Sequence, residues 1–154
     1  MLDAMKVEEL EPKPAVSMRF ECVPRAVASN LEKILPLIRA YSESRGGVIS
    51  GPAFVRYHAK IEGQFYLEAG FPVSEGITPN SLVDMTELPG GLAVVTEHEG
   101  PRRELGSLHR EIREWIRGEE LSSAGPAWDS YLNGINPEEG EVALTRVVYP
   151  VNRG

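Results

Sequence analysis

Cysteine is nearly absent from this chain of 154 residues, where Cys22 stands alone. A single thiol cannot close an intramolecular disulfide, and it rules out any Cys-based zinc cluster. His58, His98 and His109 are scattered without metal-ligand spacing, so neither a metal nor a cofactor is expected. No apolar run approaches the roughly 18 residues of a membrane span. The acidic N-terminus also lacks the apolar core of a signal peptide. Basic excess is missing too: 16 Lys and Arg stand against 23 Asp and Glu, a net charge of −7. That balance excludes a general affinity for nucleic acid, whose phosphates need a basic surface. Phosphate-cradling glycine patterns are not found before either predicted helix, and Ser50-Gly51 lacks the flanking glycine of a nucleophile elbow. The expectation is a soluble cytoplasmic protein without a membrane or nucleic-acid partner.

What is present is globular: 42% hydrophobic and 25% charged residues, enough for one ordinary domain with a core. Residues 1–14, with Pro12 and Pro14, read as a disordered lead-in. Val16 to Cys22 alternates with a period of two, as a half-buried strand does. Val27, Leu31, Ile34, Leu35, Ile38 and Tyr41 then share one helical stripe, interrupted by Pro36, where a kink is expected. Strands follow over Phe54–Lys60 and Gln64–Val73, joined through Glu62-Gly63. Residues 74–91 are turn-rich and read as a linker. A strand over Leu92–Glu97 leads to Gly100-Pro101, which places proline at a helix start. Leu105, Leu108, Ile112, Trp115 and Ile116 form the stripe of this second helix, Trp115 as core, and Gly118 closes it. Strands near Trp128–Leu132 and Glu141–Tyr149 finish the chain.

The order strand, helix, strand, strand thus occurs twice, and an internal repeat is legible. Gly51-Pro52-Ala53-Phe54 with Tyr57 matches Gly125-Pro126-Ala127-Trp128 with Tyr131 at an offset of 74. Phe71-Pro72-Val73 matches Tyr149-Pro150-Val151 at an offset of 78. The fold class expected is α+β: two βαββ modules, 15–73 and 92–151, related by pseudo-twofold symmetry within one domain, 15–151. Their mostly antiparallel sheet would carry both helices on one face, with a ligand cleft at the junction of the copies.

Strand alternation turns Leu67, Ala69 and Phe71 toward the helix and Tyr66 and Glu68 away from it. Arg146 is the repeat equivalent of Glu68, so the two charges are expected on either side of the cleft. Phe54 and Tyr57, like Trp128 and Tyr131, are three residues apart along a strand. One aromatic of each pair therefore faces the helices and the other the cleft, and the spacing leaves open which. The candidate ligand contacts are Phe54, Tyr57, Tyr66, Glu68, Trp128, Tyr131 and Arg146. Arg102 and Arg103 sit in the first turn of the second helix, an anion-holding arrangement also common on plain surfaces. Cys22, among apolar neighbours, reads as an inert core thiol.

Several segments resemble the GyrI-like small-molecule-binding domains, which also form the effector-binding half of multidrug-sensing transcription regulators. They are Leu88-Pro89-Gly90-Gly91, His98-Glu99-Gly100-Pro101, Gly125-Pro126-Ala127-Trp128 with Tyr131-Leu132-Asn133, and Thr145 to Val151. The resemblance covers residues 15 to 151, the second half more specifically. It implies the duplicated βαββ fold and a central site for bulky, flat, often cationic hydrophobic compounds, with aromatics stacking on the ligand and a carboxylate pairing its charge. No helix-turn-helix segment precedes the first strand, so a stand-alone member is implied. Arg146 stands where the family usually has Glu, and Arg102 where it has Tyr. With Glu68 as the remaining carboxylate neutralised by Arg146, a neutral or zwitterionic ligand is implied.

Two functions follow from that resemblance. One is sequestration of aromatic drugs or toxins. The other is hydrolysis of strained cyclopropane rings in DNA-alkylating natural products, with Glu68 as general acid or base and Tyr131 orienting it. A gyrase-type protein partner ranks below both, because the acidic residues are interspersed with bases rather than grouped.

Overall fold

The computed structural model describes residues 4–153. Its strands are β1 (Lys6–Leu10), β2 (Lys13–Cys22), β3 (Val48–Ile49), β4 (Phe54–Ile61), β5 (Gln64–Glu75), β6 (Asp84–Leu88), β7 (Gly91–Glu99), β8 (Leu121–Ser123), β9 (Trp128–Tyr131) and β10 (Leu144–Arg153). Two helices interrupt them, α1 (Val27–Ser44) and α2 (Leu105–Gly118). All strands join one antiparallel sheet in the order β1-β7-β10-β9-β4-β5-β2-β6, with β3 added to β5 and β8 to β10. The fold is α+β, a curled sheet forming a half-barrel with two helices.

Local chemistry accounts for most of these elements. Leu31, Leu35, Ile38 and Ser42 are the buried residues of α1, at steps of four, three and four, and Pro36 lies on its exposed side. Each buried Leu or Ile contributes about 1.5–3 kcal/mol of transfer free energy. The β4–β5 hairpin turns through Glu62 and Gly63, both at positive φ (51° and 79°). That is the primed two-residue turn whose twist matches the flanking strands.

Two expectations are corrected by pairing that only the fold supplies. Residues 6–10 are not a disordered lead-in but strand β1, in register with β7 from Lys6↔Val95 to Leu10↔Gly91. Met1 to Asp3 lie outside the described residues. The supposed linker holds β6, which pairs with β2. Both are short, charged edge strands held by a neighbour's backbone, so their own periodicity is faint. Gly90 makes the corner beside β1 feasible: a Cβ there would lie 2.8 Å from the Leu10 carbonyl oxygen and 2.6 Å from Pro12.

The two faces of the sheet are both packed, in different ways. On the helix face, Leu67, Ala69 and Phe71 do cover α1, joined by Val55. Val94, Val147 and Val151 meet Leu105, Leu108, Ile112 and Ile116 of α2. The opposite face is closed by the curl of the sheet over Phe54, Trp128, Ala93, Val95 and Val148, with Leu88 and Ala15 beside them. Between the halves, β4 and β9 meet in the register Phe54↔Ser130, Val55↔Asp129, Arg56↔Trp128. Their ends exchange reciprocal bonds: Tyr57 N–H donates to the Ala127 carbonyl and Tyr131 N–H to that of Ala53, each at 2.9 Å. No helix among the described residues is long and apolar enough to cross a membrane.

Candidate functional site

Each helix covers its own half of the sheet, which leaves the β4–β9 seam roofed by neither. A cavity of about 1290 Å³ opens there, between the N-terminal turns of α1 and the length of α2. Small residues keep it empty: Ala28, Gly106, Gly125 and Ala127 line it, and a Cβ on Gly106 would meet nothing within 4 Å. Strand parity selects its floor. In β4, Tyr57 points to the helix side while Phe54 and Arg56 point away; in β9, Asp129 and Tyr131 point in while Trp128 points away.

The floor is aromatic. Tyr57 meets Phe65 edge-on at 5.9 Å between ring centroids and His109 at 5.2 Å; His109 meets Tyr149 at 5.4 Å. A hydrogen-bonded chain runs beneath these rings. Tyr57 Oη donates to Asp129 Oδ2 at 2.6 Å, and His109 Nε2 lies 2.8 Å from Asp129 Oδ1. Asp129 is fully buried. An ionised carboxylate only accepts, and in the tautomer that matches it, protonated at Nε2, Nδ1 accepts from Tyr149 Oη at 2.6 Å. Arg113 Nη1 donates to the same phenol oxygen at 3.2 Å.

The phenols are held neutral. Burial, then the Asp129 charge, pushes Tyr57 well above the ordinary tyrosine range. Tyr131 is pushed far up by burial and by Asp129, with Arg102 opposing. Burial also raises Tyr149, partly offset by Arg113. The site therefore presents uncharged phenol rings rather than phenolates. Among the described residues, no group of three or more His, Cys, Asp or Glu is disposed to hold a metal ion.

Of the residues expected at a cleft, the fold brings Tyr57 and Tyr131 into the cavity and the others elsewhere. Phe54 and Trp128 are core residues of the opposite face. Tyr66 lies exposed near the start of β5. Glu68 is buried on that opposite face, accepting from Ser17 Oγ at 2.6 Å and from Arg56 Nε and Nη2 at 3.0 and 2.8 Å. His58 Nε2 adds a contact at 2.8 Å. Burial alone would raise the Glu68 carboxyl; the bonds from Ser17 and His58 and the Arg56 charge outweigh it and hold the group below its usual range. Arg146 pairs with Glu8 at 3.2 Å, not with Glu68. The expected Glu68–Arg146 couple is thus replaced by two separate ones. The error lay in assigning the cleft to the helix-free face, which the curl of the sheet fills.

Phe65, His109 and Tyr149, which line the cavity, and Asp129 beneath them carry no motif that points to it. One signal for the wall was available: Gly106, Arg110, Arg113 and Arg117 recur at steps of four, three and four, a second stripe beside the apolar one of α2. Cys22 is buried as expected, and burial raises its thiol.

Comparison with known proteins agrees with this fold. The GyrI-like small molecule binding domain family matches residues 4–151. The crystal structure of the EcmrR C-terminal domain superposes with a TM-score of 0.87 at 21% identity, covering 100% of both chains. SAV2435 bound to tetraphenylphosphonium gives a TM-score of 0.67 at 12% identity, over 97% of this chain and 94% of that one. A hydrolase from Listeria innocua gives 0.67 at 15% identity, over 96% and 91%. No curated protein sequence matches.

Proposed function

This chain belongs to the GyrI-like small-molecule-binding domain family, and from that premise we propose that it binds bulky aromatic compounds between its two helices. The observation that carries the proposal is the cavity of about 1290 Å³ over the β4–β9 seam, floored by Tyr57, Tyr131 and Tyr149. That volume exceeds the roughly 300–1,000 Å³ of ordinary ligand sites, which suits a multi-ring guest. Neutral aromatic faces stack on such rings with about 0.5–1.5 kcal/mol per pair beyond the area buried. SAV2435 takes tetraphenylphosphonium, a compound of that bulk.

Calorimetric titration with a panel of polycyclic compounds is expected to find one saturable site. Tyr57→Ala and Tyr131→Ala should each weaken binding roughly tenfold, the equivalent of one lost ring contact. Trp128→Phe and Glu68→Gln, on the other face, should leave affinity unchanged. A folded protein that binds no member of the panel, or that loses binding only through the second pair, would refute the assignment.

A second reading, hydrolysis, is favoured by the order Asp129–His109–Tyr149. A buried carboxylate orients an imidazole whose other nitrogen accepts from a hydroxyl at the cavity wall, the relation that readies a hydroxyl to give and recover a proton. Glu68, engaged beneath the sheet, is replaced in this role. Incubation with a cyclopropane-bearing alkylator, followed by mass spectrometry, is expected to show ring-opened product. His109→Ala should abolish turnover outright, a loss far larger than the roughly tenfold weakening of binding expected from one lost ring contact. Binding without any turnover by the unaltered protein would end this reading.

A further inference from the structure

The distribution of charge around the cavity narrows the kind of guest. The chain as a whole is acidic, with 16 basic and 23 acidic residues. The cavity wall is the reverse. Helix α2 and the turn before it contribute Arg102, Arg103, Arg110, Arg113 and Arg117. Arg25 and Lys60 line the cavity as well, and among the described residues no Asp or Glu lines the space. Seven of the 16 basic residues thus gather at one cavity, with none of the 22 acidic residues among those described. Among the described residues, none of the seven has a carboxylate oxygen within 4.0 Å. Asp129, beneath the floor, is fully buried with both oxygens engaged by Tyr57 and His109.

Resting on the binding reading above, we infer that this cavity selects aromatic anions: flat ring systems bearing a carboxylate, sulfonate or phosphate. Two of the cations are already set against the aromatic surface. The Arg102 guanidinium lies 5.1 Å from the Tyr131 ring centroid, and Arg113 donates to Tyr149 Oη. A ring stacked on that floor brings its acidic substituent within reach of guanidinium forks, which match oxyanions in a bidentate manner. The walls exclude part of the solvent, so the summed field of like charges is focused into the space rather than screened. A lipophilic cation meets the same field as repulsion and finds no free carboxylate among the described lining residues. Bulk charge works the other way, because a protein of net charge −7 repels anions in general. An anion preference would therefore be the work of the cavity.

The test uses the full chain and three compounds sharing one ring system: pyrene-1-sulfonate, 1-pyrenemethanol and 1-pyrenemethylammonium. The sulfonate is expected to bind roughly 30-fold or more tighter than the alcohol, and the ammonium compound weakest. Raising salt should close the gap between sulfonate and alcohol. Arg102→Gln with Arg113→Gln should bring the sulfonate down to the alcohol's affinity while the alcohol changes less than about threefold. The exposed pair Arg110→Glu and Arg117→Glu, which leaves the floor intact, should do the same in part. If alcohol and ammonium bind and the sulfonate does not gain, the anion inference fails and the binding cavity stands. If none of the three binds the folded protein, the binding reading fails with it. A single-stranded oligonucleotide that outcompetes the sulfonate would likewise overturn the inference, since the basic wall would then serve a polymer.

Discussion

Replacing Arg56 with Met is expected to cost about 3–5 kcal/mol of stability, because it leaves the Glu68 carboxylate buried without its principal cation. The side chains of both partners are nearly inaccessible, 7% and 3% exposed, and the guanidinium also serves Thr86 Oγ1 and the Glu87 carbonyl. Arg56 therefore ties β4, β5 and β6 together, and its loss strands several acceptors at once. Urea unfolding would measure the loss, and in a domain of this size it corresponds to a thermal midpoint about 10 °C lower. Arg56→Met combined with Glu68→Gln should recover much of it, since removing both charges avoids the orphaned one. A single variant within about 1 kcal/mol of the parent would mean that the pair does not form in solution. Affinity for an aromatic guest should be unaltered throughout, because the network faces away from the cavity.

The same network sets a pH dependence. The Glu68 carboxyl is held below its usual value in the folded state, while in the unfolded chain it titrates near 4.3. Its stabilisation is therefore complete above about pH 4.3 and disappears as pH falls through the lower folded-state value. Glu68→Gln should flatten this part of the acid limb.

Asp129→Ala should have the other large effect, on stability and on binding together. The carboxylate has no exposed surface and accepts from two different side chains, Tyr57 Oη and His109 Nε2. Deleting it leaves two donors without partners, a loss of about 2–4 kcal/mol. It also frees the rings that form the cavity floor, so affinity for the aromatic guest should fall by at least about tenfold, beyond a single ring contact. Asp129→Asn keeps the shape and one acceptor, and should show less than half of both effects. Equal losses in the two variants would mean that the charge, and not the bonding pattern, is what matters at this position. Retained affinity in a destabilised Asp129→Ala protein would mean that the guest does not rest on Tyr57 and His109.

Much of the architecture was legible from local pattern. The helical stripes at Leu31 to Ile38 and Leu105 to Ile116, the Glu62-Gly63 turn and the parity of Leu67, Ala69 and Phe71 depend on neighbours within a few residues, so the chain displays them in order. The strands at Lys6 to Leu10 and Asp84 to Leu88 are legible only beside β7 and β2. Tyr57 and Tyr131 stand at matching positions of two similar segments, whereas His109, Asp129 and Tyr149 come together from three separate elements and carry no common spacing.

The residues alone determined the alternation of each strand and the apolar stripe of each helix, because backbone geometry assigns a side to every position. Which side holds the hollow was decided by tertiary structure. Curvature closes one face of the sheet over Phe54 and Trp128, and two helices packed on separate halves leave a hollow between them on the other. Sheet curvature and helix separation are sums over many distant contacts, and no short stretch of sequence contains them.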